Sequence, residues 1–136
     1  MKDLLLGTDI CQISRIQKAV DKYGDKFLQK TFTPSEVKYA LTNKRNVYER
    51  LSVRFATKEA VSKALGVGIN KLGWGKGINW KEVEIIRGEM NNIDLSLTGR
   101  AKELADQKKV QFWRVSVSHM GDYAIATVAG IVENES

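Results

Sequence analysis

Arg54-Phe55-Ala56-Thr57-Lys58-Glu59-Ala60-Val61-Ser62-Lys63-Ala64-Leu65-Gly66 puts ionisable and hydroxyl groups where a chain built only for folding would prefer apolar ones. Ala56, Ala60 and Ala64 recur every fourth residue, so a helix here has one face without bulk on which another element packs closely. Phe55, Glu59, Ser62, Lys63 and Gly66 gather on a different side. The spacing predicts a helix over 50–65 that stops near Gly66 and Gly68. Glu59 and Lys63 stand one turn apart, which on a solvated helix is worth about 0.3–0.5 kcal/mol. A solvated pair does not explain the glycine-rich segment that follows at once. Gly66 to Gly77 holds five glycines and reads as a loop. Such a loop lets backbone N–H groups approach phosphates. Neither common nucleotide fingerprint accompanies it, since no Gly-Lys-Ser/Thr follows at Walker spacing and no GxGxxG follows a strand.

Upstream, residues 3–10 read as a buried strand. Residues 12–23 read as an amphipathic helix with Ile13, Ile16 and Val20 on one side. Arg15, Lys18 and Lys22 keep the same spacing on another side. Thr33-Pro34-Ser35-Glu36 is a capping box with proline at the first helical position, a strong helix start. Downstream the period changes to two. Val83 and Ile85 alternate with charged residues, and Ile93, Leu95 and Leu97 alternate with Asp94 and Ser96. Ala101, Leu104 and Ala105 mark a helix. Trp113, Val115 and Val117 then alternate with Arg114, Ser116 and Ser118, and residues 123–132 form an apolar strand. Met120-Gly121-Asp122 turns the chain between these last two. The sum is one α+β domain over 1–136, an antiparallel sheet with helices packed on it.

The chain has 136 residues and a formal charge of +6. That length suits one domain with a modest core. The basic balance favours acidic partners of any kind, from nucleic acid to a phosphorylated small molecule. No apolar run is long enough to span a bilayer, and no small-residue cleavage site follows Leu4-Leu5-Leu6, so the expectation is a cytoplasmic protein without a membrane anchor. Cys11 stands alone and reads as a small buried hydrophobe rather than a nucleophile. Trp74, Trp80 and Trp113 do not form an aromatic–basic platform, and no nucleic-acid-binding motif is present.

Two other segments carry unusual groups. Asp9, in Gly7-Thr8-Asp9-Ile10, stands at the end of a strand expected to be buried. A carboxylate there needs a cation or several donors; from this segment alone, capping the next helix is the first reading and a metal the second. His119, the sole histidine, ends a strand beside a turn. It has neither the Gly-x-Ser-x-Gly elbow of a serine hydrolase nor the further His or Cys ligands of a zinc site. Oxygen ligands from two carboxylates with lysine and arginine nearby suit magnesium, which shares its sphere with substrate phosphates. The residues by themselves therefore point to a phosphorylated compound bound with magnesium.

The ordered set goes further. Gly-x-Asp-Ile with Arg15 behind it, the stretch from Arg54 to Gly66, Ser116-x-Ser118-His119 and Tyr123-Ala124-x-Ala126 closely resembles the holo-[acyl-carrier-protein] synthases. These are the small, single-domain 4′-phosphopantetheinyl transferases, and the resemblance covers nearly the whole chain. It implies transfer of phosphopantetheine from coenzyme A to a serine of apo-acyl carrier protein, in fatty acid biosynthesis, releasing adenosine 3′,5′-bisphosphate. It implies Asp9 and Glu59 as magnesium ligands and Lys63 on the pyrophosphate. Arg54, Ser62, Gly66, His119 and Lys44 would contact coenzyme A. The motif leaves open which base takes the serine proton; Glu59 acting through a water is the candidate. The family also implies a homotrimer with sites between subunits. The stripe Arg15, Lys18 and Lys22 is either a plain solvated face or the dock for an acidic carrier helix, and the position of Asp9 just before it favours the dock. A docking interface of that kind weakens with added salt. Two departures stand out: Gly88-Glu89-Met90-Asn91-Asn92 replaces a Gly-Lys-Pro turn, and Met120 replaces a small hydroxyl residue after His119. The competing readings are a basic nucleic-acid-binding module and an inactive carrier-binding relative.

Overall fold

The computed structural model describes residues 2–69, 77–87 and 92–133. Its architecture is α+β, as the sequence predicts, with two antiparallel sheets in place of one. β1 (Lys2–Gln12), β4 (Val110–Met120) and β5 (Tyr123–Glu133) form a three-stranded sheet in the order β1-β5-β4. β2 (Val83–Arg87) and β3 (Ile93–Leu97) form a separate hairpin. The helices are α1 (Ile13–Tyr23), α2 (Asp25–Thr31), α3 (Pro34–Leu41), α4 (Val47–Ala64) and α5 (Gly99–Gln107). Residues 70–76 of the glycine-rich segment and 88–91 of the Gly88–Asn92 departure lie outside the described residues.

α4 is the axis of the molecule. It starts three residues earlier than the periodicity predicts and is buried along most of its length, including Leu51, Ala56, Ala60, Val61 and Ala64. One side lies on β1 and β5, and the other faces the smaller sheet. The alanine face works as expected. A Cβ on Gly7 would overlap the Ala60 carbonyl and come within 2.9 Å of the Ala64 nitrogen. Strand and helix therefore meet backbone to backbone, which only glycine permits. Ala124, Ala126 and Val128 of β5 continue the same buried surface.

β1 is a half-buried strand, which corrects the expectation of a buried one. Leu5, Gly7, Asp9 and Cys11 face α4, while the alternate residues face outward. Leu6 is 64% exposed and Ile10 60% exposed because, among the described residues, no element covers the outer face of the sheet. Register places Ile10 opposite Ile125 and Gln12 opposite Tyr123 on that face, with Met120 across from Tyr123. The apolar run in β1 thus has two destinations, the core and an open surface.

The predicted turns and caps are present. Gly121 sits at φ 58° in the two-residue turn joining β4 to β5, as a primed hairpin turn requires. The capping box forms at α3: Thr33 N–H donates to Glu36 Oε1 at 2.8 Å, and Glu36 N–H donates weakly to the Thr33 hydroxyl at 3.4 Å.

Candidate active site

Asp9 and α4 are brought together by the Gly7 contact. Two residues beyond Gly7, on the same face of β1, Asp9 meets Lys63 near the end of α4. Lys63 Nζ donates to Asp9 Oδ1 at 2.8 Å and to the Thr8 carbonyl at 3.1 Å. Asp9 is therefore not the cap of α1, which begins four residues later. Asp122, from the β4–β5 turn, does that instead: it accepts from the Ser14 N–H at 2.9 Å and from the Ser14 hydroxyl at 2.6 Å. The Ser14 bonds hold the Asp122 carboxyl below the usual aspartate range. The capping alternative failed because the acceptor comes from the far end of the chain, which local pattern does not reveal.

Asp9, Glu59, Lys63 and Arg15 line one cavity of about 460 Å³. Ile16, Phe27 and Phe55 give it apolar walls. Phe27, on α2, was not legible as a site residue, since α2 has no pattern that marks it. Cys11 also lines this cavity. Burial first, and then the Asp9 charge, push its thiol up to about 11. It stays protonated at neutral pH, in keeping with a small buried hydrophobe.

The donor set fits a magnesium ion. Among the described residues no group of three or more His, Cys, Asp or Glu side chains could enclose a metal. Two carboxylates leave positions for water and phosphate oxygens, as magnesium prefers. Asp9 already holds a cation in this structure, the Lys63 ammonium. The Asp9 side chain is 16% exposed and that of Lys63 52%, so the ammonium can move to another anion without being uncovered first.

The remaining predicted residues lie elsewhere. Arg54 and His119 line a second cavity of about 390 Å³, together with Arg50, Arg87, Tyr39 and Ser118. The guanidinium carbons of Arg50, Arg54 and Arg87 lie 4.3, 4.4 and 5.7 Å from the centre of the Tyr39 ring. Arg54 is 3% exposed, and among the described residues its Nε has no hydrogen-bond partner. Burial pushes Arg54 below the usual arginine range, opposed by Glu36. A buried guanidinium with other cations beside it can accept an anion. Arg50 and Arg87 escaped the sequence reading because they are far apart in the chain and meet only over Tyr39. Ser62 is fully buried, and its hydroxyl donates to the Glu59 carbonyl at 2.6 Å. Gly66, at φ 77°, closes α4. Lys44 is exposed and borders an apolar groove beside Val47 and Tyr48. Lys18 and Lys22 are exposed on α1, as is Arg15 at the mouth of the first cavity.

Comparison with known proteins places the chain in a family. Residues 5–128 match the model of the 4′-phosphopantetheinyl transferase superfamily. The holo-[acyl-carrier-protein] synthase of Chlamydia muridarum is 44% identical over 131 residues, covering 96% of this chain and 97% of that protein. That of Ruminiclostridium cellulolyticum is 40% identical over 124 residues, covering 91% and 89%. Among solved structures, the Helicobacter pylori holo-[acyl-carrier-protein] synthase in complex with coenzyme A is 33% identical. It superposes with a TM-score of 0.75 over 90% of this chain and 96% of that one. The chain belongs to the holo-[acyl-carrier-protein] synthase family of the 4′-phosphopantetheinyl transferase superfamily.

Proposed function

We propose that this chain, as one domain over 1–136, transfers 4′-phosphopantetheine from coenzyme A to a serine of apo-acyl carrier protein. The products are holo-acyl carrier protein and adenosine 3′,5′-bisphosphate. The observation that carries the reading is the meeting of Asp9, Glu59, Lys63 and Arg15 in one cavity. Magnesium held by Asp9 and Glu59 would supply Lewis-acid charge on the pyrophosphate. Lys63 leaves Asp9 for the pyrophosphate and neutralises charge as it develops. The carrier serine oxygen bonds to the β-phosphorus, and the bond from that phosphorus to the bridging oxygen breaks. Glu59, acting through a water, takes the serine proton. Arg54 and His119 hold coenzyme A by its phosphates, with Ser62, Gly66 and Lys44 as further contacts. Arg15, Lys18 and Lys22 dock the acidic carrier protein beside the cavity. The setting is fatty acid biosynthesis in the cytoplasm.

The working unit in this reading is a homotrimer. Two features support it. Among the described residues nothing covers the outer face of the β1-β5-β4 sheet, where Leu4, Leu6, Ile10, Ile125, Phe112 and Met120 are exposed beside polar Thr8, Thr127 and Ser116. The carboxylate–lysine cavity and the arginine–histidine cavity are also separate in one chain. Copies meeting over the sheet face let one chain's first cavity complete its neighbour's second.

Mass spectrometry of apo-acyl carrier protein tests the function, after incubation with this protein, coenzyme A and magnesium. The carrier gains one phosphopantetheine, and the gain disappears with EDTA or with Glu59→Gln. No gain on any of several apo carriers would overturn the reading.

A further inference from the structure

Lys58 is the one charged group of the central motif that the proposed chemistry leaves idle. It is fully buried, and so is its partner Glu36. Its ammonium has three N–H donors, and three acceptors surround it. They are the Trp80 carbonyl at 2.9 Å, the Val83 carbonyl at 2.5 Å and Glu36 Oε1 at 2.8 Å. Burial pushes Lys58 below the usual lysine range, and Glu36 opposes that shift. Glu36 is equally committed. Oε1 also accepts from the Thr33 N–H at 2.8 Å, and Oε2 accepts from the Ile85 N–H at 2.9 Å. The pair therefore ties α4 to the start of α3, to the turn at Trp80 and to β2.

A buried ion pair is a poor source of stability, since apolar residues of equal volume often do as well. What it supplies is direction. Three acceptors fixed around the ammonium of a fully buried side chain narrow the rotation and axial position open to α4. Lys58 precedes Glu59, so that rotation sets where the Glu59 carboxylate points. The same clamp reaches a wall of the cavity. Trp80, whose carbonyl Lys58 holds, stacks on Phe55 at 4.5 Å between ring centres, and Phe55 lines the site.

We infer that Lys58 and Glu36 are a positioning pair for the transfer reaction, holding α4 so that Glu59 and Lys63 face Asp9. The inference rests on the proposed transferase function. Two variants test it. Glu36→Gln keeps an oxygen for the α3 cap and removes the charge. The double variant Glu36→Gln with Lys58→Met removes both charges together. Each is assayed well below its own unfolding temperature, beside the wild type.

Positioning predicts that kcat falls about tenfold or more in the folded double variant, and by less in Glu36→Gln. The KM for coenzyme A changes far less than kcat, and half-saturation by magnesium moves several-fold upward. A merely structural pair lowers the unfolding temperature and leaves kcat and the magnesium requirement of the folded protein at wild-type values. That result would overturn the inference. Where the double variant does not fold, Glu36→Gln alone decides, and a wild-type kcat there also overturns it. An inactive wild type is a different failure: it removes the transferase reading and this pair's role with it.

Discussion

Asp9 and Cys11 are two residues apart on the same face of β1, yet their environments separate their chemistry. Asp9 keeps partial contact with solvent and a lysine at 2.8 Å. Cys11 is 7% exposed and has a thiol pushed up to about 11 by burial and by that same carboxylate. Iodoacetamide should therefore label the folded protein very slowly at neutral pH and rapidly in denaturant. The folded-state rate should climb as the pH approaches the thiol's raised value. Fast labelling of folded protein at pH 7, followed by mass spectrometry, would contradict this assignment. The identities of Asp9, Glu59 and Lys63 were legible in the sequence because charged residues stood where folding alone prefers apolar ones. The Asp9–Lys63 pairing was not, because 54 positions of chain separate the two residues and only the Gly7 contact brings them together. Lys58 was invisible for the opposite reason. Next to Glu59 it looks like another surface charge, and nothing local announces three buried acceptors.

The alanine face was the readable half of the contact of β1 with α4, since three alanines at helical spacing predict that another element packs closely there. That Gly7 of β1 is what meets it was not readable, because nothing local links the two segments. Gly7→Ala should test it directly, because the new Cβ meets the Ala60 carbonyl and the Ala64 nitrogen, neither of which can rotate away. Overpacking of this kind typically costs about 1–3 kcal/mol, read as a lower urea midpoint. The transfer rate should fall as well, since Asp9 moves off Lys63. A variant with wild-type stability and rate would mean that the helix has room to shift. The division into two sheets was less readable. Strand alternation looks the same in either sheet, and β2–β3 is set apart only by what its strands pair with. The amphipathic reading of α1 held, with Ile13 and Ile16 buried and Val20 packed against the core. Its cap escaped notice because Asp122 lies 108 positions away from Ser14.

The two cavities and the bare sheet face lead to one expectation for the assembled protein. If the proposed homotrimer shares its sites between subunits, Lys63→Ala and Arg54→Ala should each be inactive alone. Mixed and allowed to exchange subunits, they should regain activity, up to about a quarter of the wild-type value for randomly assorted rings with shared sites. Sites complete within each chain would give no recovery, and the transfer assay separates the two outcomes. The surface that makes assembly plausible was hidden in the sequence. Leu4, Leu6 and Ile10 read as core residues, and only the alternation along β1 shows that they point away from it.

The crossing at Gly7 also bears on how the site responds to physical stress. Most distances inside a protein pass through side chains, which can change rotamer or close small voids when squeezed. Here strand and helix touch through their peptide groups, with no side chain interposed between them. Packed protein matter is already stiff, and a peptide-on-peptide contact has nothing soft left to yield. The backbone spacing between Asp9 and the end of α4 is thus measured against a rigid gauge. Under hydrostatic pressure it should hold while the larger, side-chain-lined cavities around it contract.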